Sequence, residues 1–124
     1  MNTLKSLIIV FLGGGIGSCI RFLISKLFYT NSNSFPWGTF IANLVGCFLF
    51  GFFSSWFIKN FRSEWIIFFT IGICGGLTTF STFTNEALMM YKNQNWLLFF
   101  KYSISSFIFG LLMIKIGYDS FKLL

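Results

Sequence analysis

The chain is a series of long apolar runs divided by brief polar interruptions. The runs cover about 4-28, 37-58, 65-91 and 96-118. A helix needs roughly 20 apolar residues to cross the hydrocarbon core of a bilayer. The pattern therefore predicts an all-α integral membrane fold of four transmembrane helices, in a single four-span domain over 1-124. The connections are short and rich in turn formers: TNSNSFP at Thr30 to Pro36, a charged turn of Lys59, Asn60, Arg62, Ser63 and Glu64, and KNQN at Lys92 to Asn95. Trp37, Trp65, Trp96, Tyr29, Tyr91 and Tyr118 fall near run ends, where a ring with an apolar body and a polar tip sits at headgroup level.

One run departs from the pattern. Residues 72-86 read GICGGLTTFSTFTNE inside the third apolar stretch. Glycines and hydroxyls there expose backbone polarity to a medium without water, and something must satisfy it. The third helix is expected to be broken, and such a break marks an ion site.

Composition agrees with the membrane reading, at 56% hydrophobic and 10% charged. With no histidine and only Glu64, Glu86 and Asp119 as acids, acid/base, metal-hydrolase and nucleophile-plus-base chemistry lack their groups, so the chain is not expected to be an enzyme. The nine cations are scattered singly, which argues against nucleic acid. Cys19, Cys47 and Cys74 show no CxxC spacing and read as small packing residues. The first run is too long for a signal peptide and lacks a small-residue cleavage site, so it is expected to be retained.

With four spans, Lys5, Lys59, Arg62, Lys115 and Lys122 lie toward one side, against Arg21, Lys26, Lys92 and Lys101 toward the other. The positive-inside rule gives only a faint preference for cytoplasmic termini. A chain so balanced is expected to insert both ways, and two opposite copies would pair as an antiparallel, dual-topology dimer.

Gly13 and Gly17, Ala42 and Gly46, and Gly72 and Gly76 each have the small-xxx-small spacing that lets helix backbones approach in lipid. The glycines at 13-17 lack the preceding strand that a phosphate loop requires. In the second run Thr39, Asn43, Gly46 and Phe50 share one face at i, i+4, i+7 and i+11. Asn43 must find partners for its amide, in an interhelical hydrogen bond or along a pore. In the fourth run Tyr102, Ser106 and Phe109 share a face. After the break, Ser81 with Asn85 and Thr82 with Glu86 stand four apart, and Phe80 with Phe83 stand three apart beside them. Ring edges are electropositive, so two inward phenyl edges next to hydroxyl donors would line a path for a small anion. Arg21 is expected to snorkel toward the interface in preference to a direct pathway role, and Glu86 is either a hydrogen-bond anchor or a pore mouth.

Three motifs, GGGIGSCIRF at Gly13 to Phe22, PWGTFIANLVGCFLFG at Pro36 to Gly51 and GICGGLTTFSTFTNE at Gly72 to Glu86, occur in the order and spacing of the CrcB-type (Fluc) small fluoride channels, which the chain strongly resembles. The resemblance implies a fluoride-selective channel of the cell membrane, plasma or inner, that exports fluoride passively. It implies an antiparallel homodimer with two pores and a central structural sodium ion. By motif, the carbonyls of Gly75 and Thr78 would hold sodium. Phe80 and Phe83 would be the pore phenylalanines, Asn43 the pore amide, and Ser81, Thr82 and Thr39 members or neighbours of a hydroxyl track. Tyr102 and Ser106 would match pore-lining positions of the fourth helix. The central turn is expected to need glycine at 75 for unusual backbone angles and close approach. A heterodimer with a sister chain is the alternative assembly. The alternative function is a small proton-coupled multidrug exporter, disfavoured because the first run carries Arg21 and no acid.

Overall fold

The computed structural model describes residues 2–60 and 63–122, and Arg62 of the charged turn lies outside them, as do the side chains of Lys59, Asn60, Ser63 and Lys122. Among the described residues helix is the only regular secondary structure, and there are no strands. Span one is Thr3–Leu27, span two Trp37–Asn60 and span four Trp96–Lys122. Span three comes in two halves. The first is an α-turn at Ser63–Ile66, a π-helical stretch at Ile67–Cys74 and a closing turn at Gly75–Leu77. The second is the helix Phe80–Lys92. All four spans are long and apolar enough to cross a membrane.

Local chemistry sets the ends. Asn2 caps span one by accepting the Leu4 N–H, and Pro36 precedes the first residue of span two. Between spans three and four, Gln94 takes a positive φ of 57° and Asn95 accepts the Leu98 N–H, which reverses the chain within a few residues.

Few side chains are fully buried, because most of the apolar surface faces outward, as expected where lipid is the solvent. Packing depends on backbone approach instead. The small-residue stripe of span one lies on the first half of span three: a Cβ on Gly17 would strike the Ile73 carbonyl, and one on Gly76 the Gly14 carbonyl. Spans two and four meet the same way, a Cβ on Gly51 striking the Ile114 carbonyl and one on Gly117 the Phe48 carbonyl. Backbone cannot yield as a flexible side chain does. Gly117→Ala is expected to cost about 1–3 kcal/mol through overpacking, read as an earlier midpoint of thermal aggregation in detergent. An unchanged midpoint would show that the two helices separate freely.

Candidate functional site

The break is two extended residues, Thr78 (φ −83°, ψ 153°) and Thr79 (φ −146°, ψ 124°). Both are tied in place. The Thr78 N–H and hydroxyl donate to the Cys74 carbonyl at 3.0 and 2.9 Å, ending the first half of the span. Thr79 is the N-cap of the second half, its Oγ1 accepting the Thr82 N–H at 3.2 Å. Asn43 reaches across from span two and grips Thr79 twice, Oδ1 accepting its N–H at 2.7 Å and Nδ2 donating to its carbonyl at 3.2 Å. Asn43 thus makes an interhelical bond while it also faces the open groove. Gly46, three residues on, gives Thr78 room, since a Cβ there would strike the Thr78 methyl.

These bonds leave two carbonyls without their helical donors. In a continuous helix the Gly75 carbonyl takes the N–H of residue 79 and the Thr78 carbonyl that of residue 82. Here Thr79 donates to Asn43 and Thr82 to Thr79 Oγ1. The expected backbone requirement at Gly75 is corrected by the structure. Gly75 is ordinary right-handed helix (φ −63°, ψ −38°), and a Cβ built on it meets nothing within 4 Å. Its own chain would accept a side chain there.

Beside the break lies an open groove of about 500 Å³ whose lining includes Asn43, Gly75, Thr78, Phe80, Phe83 and Ser106. Phe80 is 77% exposed and its ring centroid is 6.0 Å from that of Phe83. Ser106 Oγ is buried without a hydrogen-bond partner, so its donor is available to whatever enters. Tyr102 does not line the groove. It is fully buried, its ring packs against Phe83 and Phe35, and its hydroxyl donates to Glu86 Oε2 at 2.6 Å.

Glu86 is held from the other side by Thr39, whose hydroxyl donates to Oε1 at 2.7 Å. A carboxylate placed between two hydroxyl donors is the anchor arrangement. It also borders a hollow of about 310 Å³ at the end of the span, shared with Ser25, Thr39, Thr82 and Asn85. A third hollow of about 320 Å³ is lined by Phe22 and by the polar residues Ser18, Arg21, Ser25, Thr39, Thr79 and Thr82. Arg21 Nε is buried there with no hydrogen-bond partner. Arg21 thus also borders a hydroxyl-rich hollow, which the snorkelling expectation did not foresee.

The three spaces share walls. Thr79 lines both the groove and the Arg21 hollow, and Thr39 and Thr82 line both the Arg21 and Glu86 hollows. The structure thus brings together Asn43, Phe80, Phe83, Ser106, Gly75 and Thr78 on one side of the break, and Thr39, Thr82, Arg21 and Glu86 on the other. Ser81 is exposed and lines none of these spaces; its hydroxyl pairs with that of Thr79 at 3.4 Å and its carbonyl accepts the Thr84 hydroxyl at 3.1 Å. Sequence reasoning passed over Thr79, Ser18 and Ser25. Thr79 had a usable signal, a hydroxyl residue three before Thr82 at a helix start. The two serines had none, because a lone serine in a membrane helix ordinarily bonds back to its own backbone.

Comparison with known proteins converges on one group. The relatives include proteins named fluoride-specific ion channel FluC, from Phocaeicola vulgatus at 41% identity over 92% of this chain and 96% of its own length, and from Bacteroides fragilis at 39% over 92% and 94%. A FluC 2 from Staphylococcus saprophyticus is 40% identical over 87% of this chain and 89% of its own. The family described as CrcB-like protein, Camphor Resistance (CrcB), matches residues 8–118, which takes in the interrupted span and the lining of all three spaces. This multi-pass membrane protein belongs to the CrcB-like family.

Proposed function

We propose that this chain is a fluoride-selective channel that exports the ion passively and so lowers cytoplasmic fluoride, with no chemical step of its own. The observation that carries the reading is the set of three adjoining spaces around the break, with uncharged donors and ring edges lining the groove side. Fluoride is small and strongly hydrated, so a selective path must replace its water with donors while avoiding a fixed charge that would trap it. The Ser106 hydroxyl, the remaining amide hydrogen of Asn43 and the edges of Phe80 and Phe83 meet that demand on one side of the break. On the other side, Arg21 would raise the local anion concentration and the hydroxyls of Thr82 and Ser25 would receive the ion, while Thr39, its one hydroxyl hydrogen already given to Glu86, would help hold that carboxylate in place. Tyr102 would act through Glu86, by holding its carboxylate to one side. The relatives' name, fluoride-specific ion channel, supports the same substrate.

The proposal includes a structural sodium ion and a second copy of the chain. The carbonyls of Gly75 and Thr78, deprived of their helical donors, are the kind of unwound backbone oxygens that suit a hard cation. They fit sodium on that ground. Gly75 has open space beyond it, which a partner's matching carbonyls would fill in an antiparallel homodimer, or a sister chain's in a heterodimer.

The test is efflux from liposomes holding the purified chain alone. Fluoride is expected to leave while chloride is retained. Comparable chloride release would overturn the selectivity argument, and proton-coupled efflux of organic cations without fluoride release would move the chain to the exporter class. Fluoride release by the single protein would also favour self-pairing over a sister chain.

A further inference from the structure

Thr70 occupies the π-helical stretch Ile67–Cys74 and touches both of its junctions. Its hydroxyl donates at 2.6 Å to the carbonyl of Ile66, the last residue of the preceding α-turn. Its own carbonyl accepts the N–H of Gly75, the first residue of the following turn. It is 6% exposed and lines the groove. A threonine hydroxyl that bonds back four residues is common in membrane helices and weakens the α-helical ladder it competes with. What sets Thr70 apart is that the bond falls where the ladder changes from i→i+4 to i→i+5, so the extra donor favours the wider turn.

We propose that Thr70 is a positioning residue for the ion path: its hydroxyl holds span three in the π register and so sets where Gly75, Thr78, Phe80 and Phe83 fall against Asn43 and Gly46. A π turn accommodates one more residue than an α-turn. Were the stretch to relax to α-helix, every residue beyond it would rotate about the span axis. Thr78 would then leave its contact with Gly46, and Thr79 its two hydrogen bonds to Asn43.

The experiment compares Thr70→Val, which keeps the shape and loses the donor, with Thr70→Ser, which keeps the donor. One readout is fluoride efflux from liposomes, which rests on the channel reading. The other does not: the rate at which N-ethylmaleimide modifies Cys74, the last residue of the π stretch and 2% exposed, with Cys19 and Cys47 replaced by alanine. Thr70→Val is expected to slow efflux and speed Cys74 labelling by about tenfold each, and Thr70→Ser to match the parent in both. Parent-like behaviour of Thr70→Val would overturn the proposal, as would Thr70→Ser failing equally. So would equal acceleration at Cys47 as the sole thiol, which would mean general loosening. Should Thr70→Val not be recovered folded, Thr70→Ala against Thr70→Ser makes the same comparison. A parent without fluoride efflux would sink the channel reading, while Cys74 labelling would still decide the role of Thr70.

Discussion

Phe80→Ile is expected to reduce fluoride efflux by about tenfold or more while the protein remains folded, each factor of ten matching about 1.4 kcal/mol of lost attraction between the anion and the ring edge. The structure makes this the cleaner of the two phenylalanine tests. Phe80 is 77% exposed to the groove, so its ring supports little of its own chain. Phe83 packs on Tyr102 at 5.1 Å between centroids and joins the cluster of Phe40, Met90 and Tyr102. Phe83→Ile is therefore expected to lose flux and some stability together. Isoleucine retains apolar bulk and lacks the electropositive edge, so efflux at the parent rate from both variants would return these rings to ordinary packing.

Asn43→Leu is expected to abolish measurable efflux and to lower stability as well. The substitution leaves the Thr79 N–H and carbonyl without their partner, at about 1–3 kcal/mol for each buried group. Asn43→Asp separates the two roles. It keeps the acceptor for the Thr79 N–H while losing the donor to the Thr79 carbonyl, so one of the two ties survives, and it places a negative charge on the groove wall, where an anion would be repelled. The expected outcome is a non-conducting Asn43→Asp that is more stable than Asn43→Leu. The checks are efflux from liposomes and monodispersity on heating in detergent. A conducting Asn43→Asp would remove Asn43 from the ion path and leave it only the tie to Thr79.

Much of the fold was legible because the bilayer imposes a length on each run, and four such runs stand out wherever TNSNSFP and KNQN interrupt them. The break was legible for a related reason: two threonines after two glycines leave polar groups in an apolar run, and such groups must be answered. The pairing of Gly13 and Gly17 with Gly72 and Gly76 was half legible, since the spacing marks a close-packing face but does not say which faces meet. The π stretch was hidden. Its residues IFFTIGIC are apolar but for Thr70, and one polar position sets no periodicity that would distinguish 3.6 residues per turn from the wider coil. The partners of Glu86 were hidden because Thr39 and Tyr102 arrive from 47 and 16 residues away. Gly75 was misread for the opposite reason. Its neighbours suggested a backbone requirement, whereas the structure gives it an ordinary conformation and leaves the space beyond it open.

Thr79 has no idle polar atom: its N–H, carbonyl and hydroxyl all have partners, drawn from span two and from its own helix. An interruption tied in this way is a fixed corner, unlike the loose hinge that a transporter needs to swing between inward-facing and outward-facing forms. Fluoride movement past it should then resemble diffusion through a standing passage, rising gently with temperature. A carrier that must rearrange at every cycle would instead show a steep thermal dependence and a rate that saturates. The amide hydrogen of Thr79 should be among the slowest to exchange with solvent, although it sits in the only part of the span that is not helical.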